Sequence, residues 1–400
     1  MLGLYLRLLA FLVLAAVLVA PGQAGEWETS GFVGIEGRHF FHASRWPGQR
    51  DGTEGSMLLQ PEVRWYADDG RQRAALVGFA RLDGWDDQRT HADLRELYWA
   101  YEADDWDLLL GVNRVFWGVT ESRHLVDIIN QVDLVEDIDQ EDKLGQPMVN
   151  LNLQRDWGRL GLFVMPYFRE RTFPGSSGRL RSPVPIDTDR PLYESGAGES
   201  HVDVAFRYSH FIGDLDLGLH LFDGTDREPR FVLDPSTRTL RPVYEQMSQA
   251  GLDLQYTREA WLWKLEALVR ERNDDVFGAV VGGFEYTFYQ VAGHPDDVGV
   301  LLEGLYDDRD RDAPATLYDN DLFTGLRWAR NDAHDSTLLA GVLVDVDSGE
   351  TLISVEAERR VGESLVAELR LRLFADAASK SPMSPVSQDD YLQFRLSWYW

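Results

Sequence analysis

The sequence predicts an all-β fold, a transmembrane antiparallel up-and-down β-barrel of about 18 strands with short turns at one end and long loops at the other. Three observations lead to it: strict alternation of apolar and polar residues, segment lengths close to one membrane crossing, and connections that alternate between short and long. Each segment has about ten residues, which is what a tilted strand needs to cross a bilayer.

Residues 364–374 show the alternation most clearly. Leu365, Leu369 and Leu373 lie on one face of the predicted strand, and Glu368 and Arg370 alternate with them on the other. The polar faces carry both signs of charge on nearly every strand, which a dry protein core could not bury. We therefore expect the apolar faces to meet lipid and the polar faces to line water.

The connections divide into two classes. Residues 67–70, 103–105, 156–158, 213–214, 258–259 and 362–363 are predicted tight turns, and residues 42–55, 116–146, 170–199, 223–243, 308–319 and 375–388 are predicted long loops. Two prolines, Pro61 and Pro166, fall inside the predicted strands 56–67 and 158–169. Each proline removes one ladder hydrogen bond, so we expect bulges there.

The first 24 residues resemble a targeting segment. Arg7 precedes an apolar run from Leu8 to Ala20, and Pro21 and small residues up to Ala24 follow. This pattern predicts a signal peptide over residues 1–24 and a barrel domain over residues 25–400. The alternative, a membrane anchor, is disfavoured because the run is short and ends in Pro and Gly.

Composition limits the function classes. The chain has no cysteine, which excludes disulfides and thiolate metal sites. Its formal net charge is −28 and its pI about 4.6, which argues against a nucleic-acid partner. Acidity suits a host for cationic solutes or simply a soluble surface. No cofactor and no metal site is predicted.

The C-terminal segment Tyr391–Trp400 carries the most specific signal. One face holds an aromatic-rich row, composed of Leu392, Phe394, Leu396, Trp398 and Trp400. It resembles the closing strand of Gram-negative outer-membrane barrels, although Trp400 replaces the more usual Phe. The resemblance implies an outer-membrane location, contact with outer-membrane lipid and lipopolysaccharide, and recognition of this row by the barrel-assembly machinery. The alternative is an ordinary amphipathic edge strand.

A second resemblance covers about thirty residues. Gly111–Gly118, followed by Asn130 and Asp133, is similar to a pattern in porin-like outer-membrane families of unassigned substrate. It supports the barrel class and names no solute. Trp117 and Gly118 are expected to turn the chain inward, the alternative being that Trp117 is an aromatic girdle residue.

Loop 116–146 is long and acidic, and it is the third long loop by position. In general porins the corresponding loop folds into the lumen, which would make this one a cation-attracting constriction. The candidate constriction residues are Glu136, Asp137, Asp139, Glu141 and Asp142. Alternatively the loop stays outside in solvent, or Asp137, Asp139 and Glu141 bind Ca²⁺, although the glycine of a regular calcium loop is missing.

The next long loop begins with a basic segment. Its candidate selectivity residues are Arg169, Arg171, Arg179 and Arg181. Facing the acidic loop across the lumen, they would set up a transverse field; simple loop–loop salt bridging is the alternative. The predicted lumen wall consists of Arg38, Arg64, Arg81, Arg207, Arg370, Arg372, Arg395, Glu356, Glu358 and Glu368. Most wall charges are expected to pair with one another.

These patterns predict a porin-like channel for passive passage of small solutes. The alternatives are an exporter or lipid- or polymer-handling barrel, plugged by its loops and working with a periplasmic partner, and a barrel enzyme. No enzyme is predicted, because the sequence lacks nucleophile-elbow, phosphate-loop and zinc-protease motifs, and the proximity of Ser122 and His124 is weak evidence. By analogy a homo-oligomer is an open expectation, although no residue indicates it.

Overall fold

The computed structural model describes residues 25–273, 275–310, 313–377 and 381–400. The predicted signal peptide, residues 1–24, lies outside the described residues. Eighteen strands join edge to edge into one antiparallel sheet. The sheet closes because β1 pairs with β2 on one side and with the last strand on the other, Phe32–Phe40 lying beside Tyr391–Tyr399. The predicted fold class is confirmed.

The barrel strands follow the predicted segments closely. They are β1 (Gly25–Phe40), β2 (Thr53–Ala67), β3 (Gln72–Asp83), β4 (His91–Glu102), β5 (Trp106–Asn113), β6 (Gln146–Arg155), β7 (Gly158–Met165), β9 (Asp203–Ile212), β10 (Leu215–Thr225), β13 (Gln246–Arg258), β14 (Trp261–Arg272), β15 (Asp275–Phe288), β16 (Asp297–Asp307), β17 (Asn320–Ala329), β18 (Thr337–Asp345), β19 (Thr351–Val361), β20 (Leu365–Ala375) and β21 (Tyr391–Tyr399).

Three further strands form a small separate sheet at the long-loop end. They are β8 (Leu192–Tyr193), β11 (Arg230–Asp234) and β12 (Thr239–Tyr244). Short 3₁₀ turns occupy Gly198–Ser200, Val291–Gly293 and Ser384–Val386. In the described part of the chain, no helix has the length and apolar character needed to cross a bilayer.

Alternation sorts the side chains between the two faces of the barrel. On β21, Tyr391 and Gln393 are buried inside, whereas Phe394 and Trp398 are each 50% exposed on the outside. Moving an apolar side chain of this size from water into an apolar environment is favourable by about 1.5–3 kcal/mol. Their arrangement right round the outer surface therefore matches a lipid-facing belt.

The two ends of the barrel differ as predicted. The short-turn end carries connections such as 103–105, 156–157 and 213–214, together with both the first and the last barrel residues. The long-loop end carries 41–52, 114–145, 166–202, 226–245, 308–319 and 376–390. The alternation has exceptions, since residues 346–350 make a short connection at the long-loop end and residues 289–296 a longer one at the short-turn end.

Pro166 does not lie inside a strand. Strand β7 begins at Gly158 as predicted but ends at Met165, so the predicted end at residue 169 and the predicted bulge at Pro166 were wrong. The reason is local: proline cannot donate to the ladder and disfavours continuation, so the strand ends just before it.

Pro61 lies inside β2 but causes no register shift. It pairs with Gly31 in β1, and the pairing with β3 lapses after Leu59 and resumes at Glu62 in the same register. The predicted bulge at Pro61 was therefore wrong: the missing N–H removes ladder bonds without inserting a residue.

A bulge occurs one strand pair further on, in β4. The register shifts between Val77 and Gly78, and Arg95 is the extra residue opposite them. An extra residue breaks the alternation, so two successive side chains point into the lumen. Arg95 contacts Asp133 there, and Glu96 lies 3.9 Å from Arg64.

Candidate functional site

Residues 114–145, which connect β5 to β6, lie inside the barrel. We call this segment the inner loop. Its middle part is among the most deeply buried in the protein: Val126 and Ile129 have no exposed surface. They belong to an apolar cluster with inward-facing wall residues such as Met165 and Ala205. The inner loop and these wall residues thus form a small apolar core that fills part of the lumen.

Two glycines allow the chain to enter the lumen. Gly111 has φ +138° in β5, and a Cβ there would lie 2.1 Å from the carbonyl oxygen of Leu97. Gly118 has φ +148°, and a Cβ there would press on His124 and Glu266. Both conformations strain any other residue.

Trp117 points inward and packs edge-on against Phe163, with the Arg207 guanidinium 4.9 Å from its ring centre. It is 4% exposed, so it is not a girdle residue. The indole and the guanidinium are placed as in a cation–π pair.

Asn130 joins the two ends of the inner loop. Its side-chain oxygen accepts from the Val115 N–H at 2.8 Å, and its amide donates to the carbonyls of Asn113 and Leu144. Asp133 is fully buried and accepts from Arg95 at 2.6 Å. The Asn and Asp of the sequence pattern therefore satisfy groups that would otherwise be buried without partners.

Two buried wall carboxylates hold the beginning of the inner loop. Glu266 of β14 accepts from the backbone N–H groups of Val119, Thr120 and Val126 at 2.7–3.2 Å. Glu303 of β16 accepts from the N–H groups of Glu121 and Ser122 at 2.9 and 2.8 Å. Irregular backbone at membrane depth requires such partners.

Arginines of the wall hold the acidic part of the inner loop from the opposite side. Arg81 contacts Glu136 at 2.5 Å and Glu36 at 2.8 Å, and its side chain has no exposed surface. Arg370 contacts Asp137 at 2.8 Å. Removing one partner of a buried pair typically costs about 3–5 kcal/mol, so these contacts fix the position of the loop strongly.

Asp139 and its neighbours have shifted pKa values. Burial, followed by the negative charge of Asp137, raises the pKa of Asp139 to about 7. Burial also raises the pKa of Asp142 to about 6, with Glu136 as the next cause. Burial acts in the same direction on Asp137, but Arg370 and Arg372 outweigh it and hold the pKa of Asp137 well below its usual value. Asp137 is therefore ionised at neutral pH.

His124 lies between two carboxylates of the lumen. Burial lowers its pKa, but Glu141, at 3.1 Å, and Glu266 outweigh burial and raise the pKa to about 10. The imidazole is therefore charged at neutral pH. Ser122 donates its hydroxyl to Glu303 at 2.6 Å, so its hydrogen bond goes to the wall and not to His124.

The candidate constriction residues are thus mostly paired. Glu136 pairs with Arg81, Asp137 with Arg370, Asp139 with Arg372 at 3.1 Å, and Glu141 with His124. Ion pairing offsets much of the field that these carboxylates would project into the lumen. Their role in selectivity stays a prediction.

The basic segment binds elsewhere. Arg169 contacts Asp93 at 2.7 Å, Arg179 contacts Asp389 at 2.6 Å, and Arg181 donates to the Pro47 carbonyl at 2.7 Å. Arg171 reaches the inner loop through Gln131 at 3.3 Å. Within the described residues, no ion pair joins these four arginines to carboxylates of the inner loop, so the salt-bridging alternative is wrong. Arg171 lines the same cavity as Asp139 and Glu141, and a transverse field across the lumen stays a prediction.

The predicted lumen-wall residues lie on the inward face. Arg38 donates to Gln393, Arg207 pairs with Asp253, Arg395 bridges Glu36 and Glu368, and Arg64 and Arg372 contact Glu62 and Glu356. Glu358 shares this face of β19 with Glu356. Sequence periodicity assigned the face but gave no indication of the partners.

Open space remains on one side of the inner loop, beside the long loops at one end and along β17–β20 further down. Three adjacent cavities form a row there, and neighbouring cavities share lining residues. His124 and Tyr318 line both the first and the second cavity, and Glu121 and Glu356 line both the second and the third. We call this row the lateral path. It extends from the long-loop end towards the short-turn end.

The lining of the lateral path changes along its length. The first cavity is lined by charges of both signs, the cations including Arg123, Lys143, Arg171, Arg227 and Arg270 and the carboxylates Asp127, Asp139, Glu141 and Glu228. The second has an apolar wall, composed of Leu339, Leu343, Leu352, Phe323, Phe374 and Met383. The third carries four carboxylates, Glu121, Glu356, Glu358 and Glu368, and two cations, Arg327 and Arg370.

Comparison with known proteins adds the fold class. No protein-family model matches the sequence, and no curated protein does. OpdQ of Pseudomonas aeruginosa is similar in structure, with a TM-score of 0.54 and 12% identity over 95% of this chain and 99% of that one. OpdO of the same organism gives 0.52 and 11% over 94% and 96%.

The chain has the fold of outer-membrane porins. A third neighbour is Wzi of Escherichia coli, an outer-membrane protein involved in group 1 capsule assembly and described as a carbohydrate-binding β-barrel. It gives a TM-score of 0.51 and 11% identity over 91% of this chain and 83% of that one. At these identities the similarity concerns the fold alone.

Proposed function

We propose that this protein is an outer-membrane channel through which small polar or charged solutes pass by diffusion along the lateral path. The carrying observation is the row of three adjacent cavities beside the inner loop, of which the second and third lie along β17–β20. The lipid-facing belt and the short-turn and long-loop ends support insertion with the short turns in the periplasm.

The charge of the third cavity supports a preference for cations. Its four carboxylates outnumber its two arginines, and Glu358 and Glu368 lie near the end of the path. Among the described residues, Glu358 forms no ion pair. Glu121, Glu356 and Glu368 pair with Arg327, Arg372 and Arg395, and most carboxylates of the inner loop are paired as well. We therefore assign selectivity to this end of the path rather than to Glu136, Asp137, Asp139, Glu141 and Asp142.

Single-channel recording in a planar bilayer tests the proposal. Ser354 lies on the inner face of β19 and lines the second cavity, so Ser354→Trp should lower the conductance severalfold by filling the path. Val355→Trp is the matched control, because the next residue of the strand points to the lipid. A Ser354→Trp channel that conducts like the wild type would contradict the lateral path, and a folded wild-type protein without conductance would contradict the channel itself.

A plugged barrel with an export or polymer-handling role is the second candidate. The observation that favours it is the apolar cluster that fills the lumen beneath the inner loop. The same recording separates the two, because a plugged barrel gives no steady current.

A further inference from the structure

Three aspartates meet at the long-loop end of the β17–β18 hairpin. The register places Asp321 directly opposite Asp345, and Asp319 lies two residues before Asp321. One carboxylate oxygen from each residue lies within 4.8 Å of those of the other two. Like charges directly opposite each other across two strands destabilise a sheet, so this arrangement requires a compensating charge.

The described residues supply little of that charge. Arg123 and Arg309, the described cations of this region, pair with Asp307 at 3.1 and 2.7 Å. Among the described residues, none forms an ion pair with any of the three aspartates. Asp321 is only 4% exposed, and its Oδ2 atom has no hydrogen-bond partner in the described part of the chain. An ionised oxygen buried in this way is costly unless a cation binds it.

We propose that Asp319, Asp321 and Asp345 form a binding site for a divalent cation, with Ca²⁺ as the preferred ion. Calcium binds oxygen ligands at about 2.3–2.6 Å, so two oxygens on opposite sides of the ion lie about 4.6–5.2 Å apart. Oxygens within 4.8 Å of one another fit this spacing without rearrangement. Waters complete the six to eight ligands that Ca²⁺ takes, since Asp319 is exposed.

The site is connected to the mouth of the lateral path. Asp319 directly follows Tyr318, which lines the first two cavities, and Pro314 to Leu317 line the first cavity as well. A cation bound by Asp319 and by two strand residues would hold the end of this loop against the barrel rim. The proposal concerns ion binding and does not depend on conduction by the path.

Calorimetric titration of the detergent-solubilised, EDTA-treated protein with CaCl₂ tests the site. Wild type should bind one Ca²⁺ ion with a dissociation constant of about 0.1–1 mM, as extracellular calcium modules do. Asp321→Asn should weaken binding at least tenfold, and Asp319→Asn should weaken it less because that residue is exposed. Asp335→Asn, the same change at the short-turn end of this hairpin, is the matched control and should bind as wild type.

Thermal unfolding, measured from gel mobility, distinguishes a loss of Ca²⁺ binding from a folding defect of the variant. Calcium should raise the midpoint temperature of the wild type and of Asp335→Asn but not that of Asp321→Asn. In EDTA, Asp321→Asn should unfold no earlier than the wild type, because the substitution removes a like-charge pair. The proposal is overturned if the wild type binds no Ca²⁺ in the millimolar range, or if Asp321→Asn binds Ca²⁺ as tightly as the wild type.

Discussion

Replacing Glu266 by Gln should release the beginning of the inner loop. Its carboxylate accepts four hydrogen bonds, from three backbone N–H groups and the Thr120 hydroxyl. Hydrogen bonds to a charged group contribute about 1.5–3 kcal/mol each. Glutamine keeps one acceptor oxygen but has an NH₂ group in place of the other. This NH₂ group would face N–H groups of the inner loop, and because both are donors no hydrogen bond forms between them. We expect a loss of about 3–5 kcal/mol, comparable to breaking a buried ion pair.

A loss of this size raises the population of the detached loop by about two to three and a half orders of magnitude. The detached loop no longer narrows the lumen, so single-channel conductance and current noise should increase. Trypsin should also cleave at Arg123 in the folded barrel. Glu271→Gln, on the outer face of the same strand, is the control and should leave both readouts unchanged. Wild-type conductance and protease resistance in Glu266→Gln would refute the anchoring role.

Further predictions concern assembly, selectivity and pH. Trp398→Ala with Trp400→Ala should lower the folded level in cells, as seen by heat-modifiable gel mobility, because the aromatic row of the last strand is lost; an unchanged folded level would contradict this. Glu358→Gln with Glu368→Gln should lower cation preference, each charge contributing about 1 kcal/mol in water at 4 Å; an unchanged reversal potential at low salt would remove these residues as selectivity determinants. The pKa of Asp139 is raised to about 7, above its unfolded value of 3.8. Its contribution to loop stability is therefore complete below about pH 4 and lost as the pH rises to about 7, so channel noise should increase over that range. Asp139→Asn should reduce this dependence, most clearly near pH 7, because Asp142 with its pKa of about 6 still titrates; identical pH profiles for the two proteins would contradict the assignment.

The strands were predictable because their signal is local. Alternation with a period of two residues can be recognised from neighbouring residues alone, as at Leu365 to Leu373. The predicted number of about 18 strands agrees with the eighteen strands of the barrel. The strand ends at prolines were less predictable. Pro166 follows the end of a strand and Pro61 lies inside one, although both lack the N–H group that the ladder uses.

The partners of the inner loop were not predictable from one sequence. Thr120 and Glu266 are 146 residues apart, and Ser122 and Glu303 are 181 residues apart. A glutamate on a polar strand face has the same local pattern whether it lines water or accepts backbone N–H groups. The partner of Arg179 was not predictable for the same reason, because Asp389 lies 210 residues away.

The central claim is that solutes pass along β17–β20 and not through the filled side of the lumen. Because the chain has no cysteine, a single engineered cysteine is a unique probe. Ser354→Cys lies in the lateral path, and Ala205→Cys lies in the apolar cluster beneath the inner loop. During single-channel recording, a charged methanethiosulfonate reagent should reduce the current through Ser354→Cys and leave Ala205→Cys unchanged. Block at Ala205→Cys with no effect at Ser354→Cys would place the conducting path on the other side of the barrel and contradict the account.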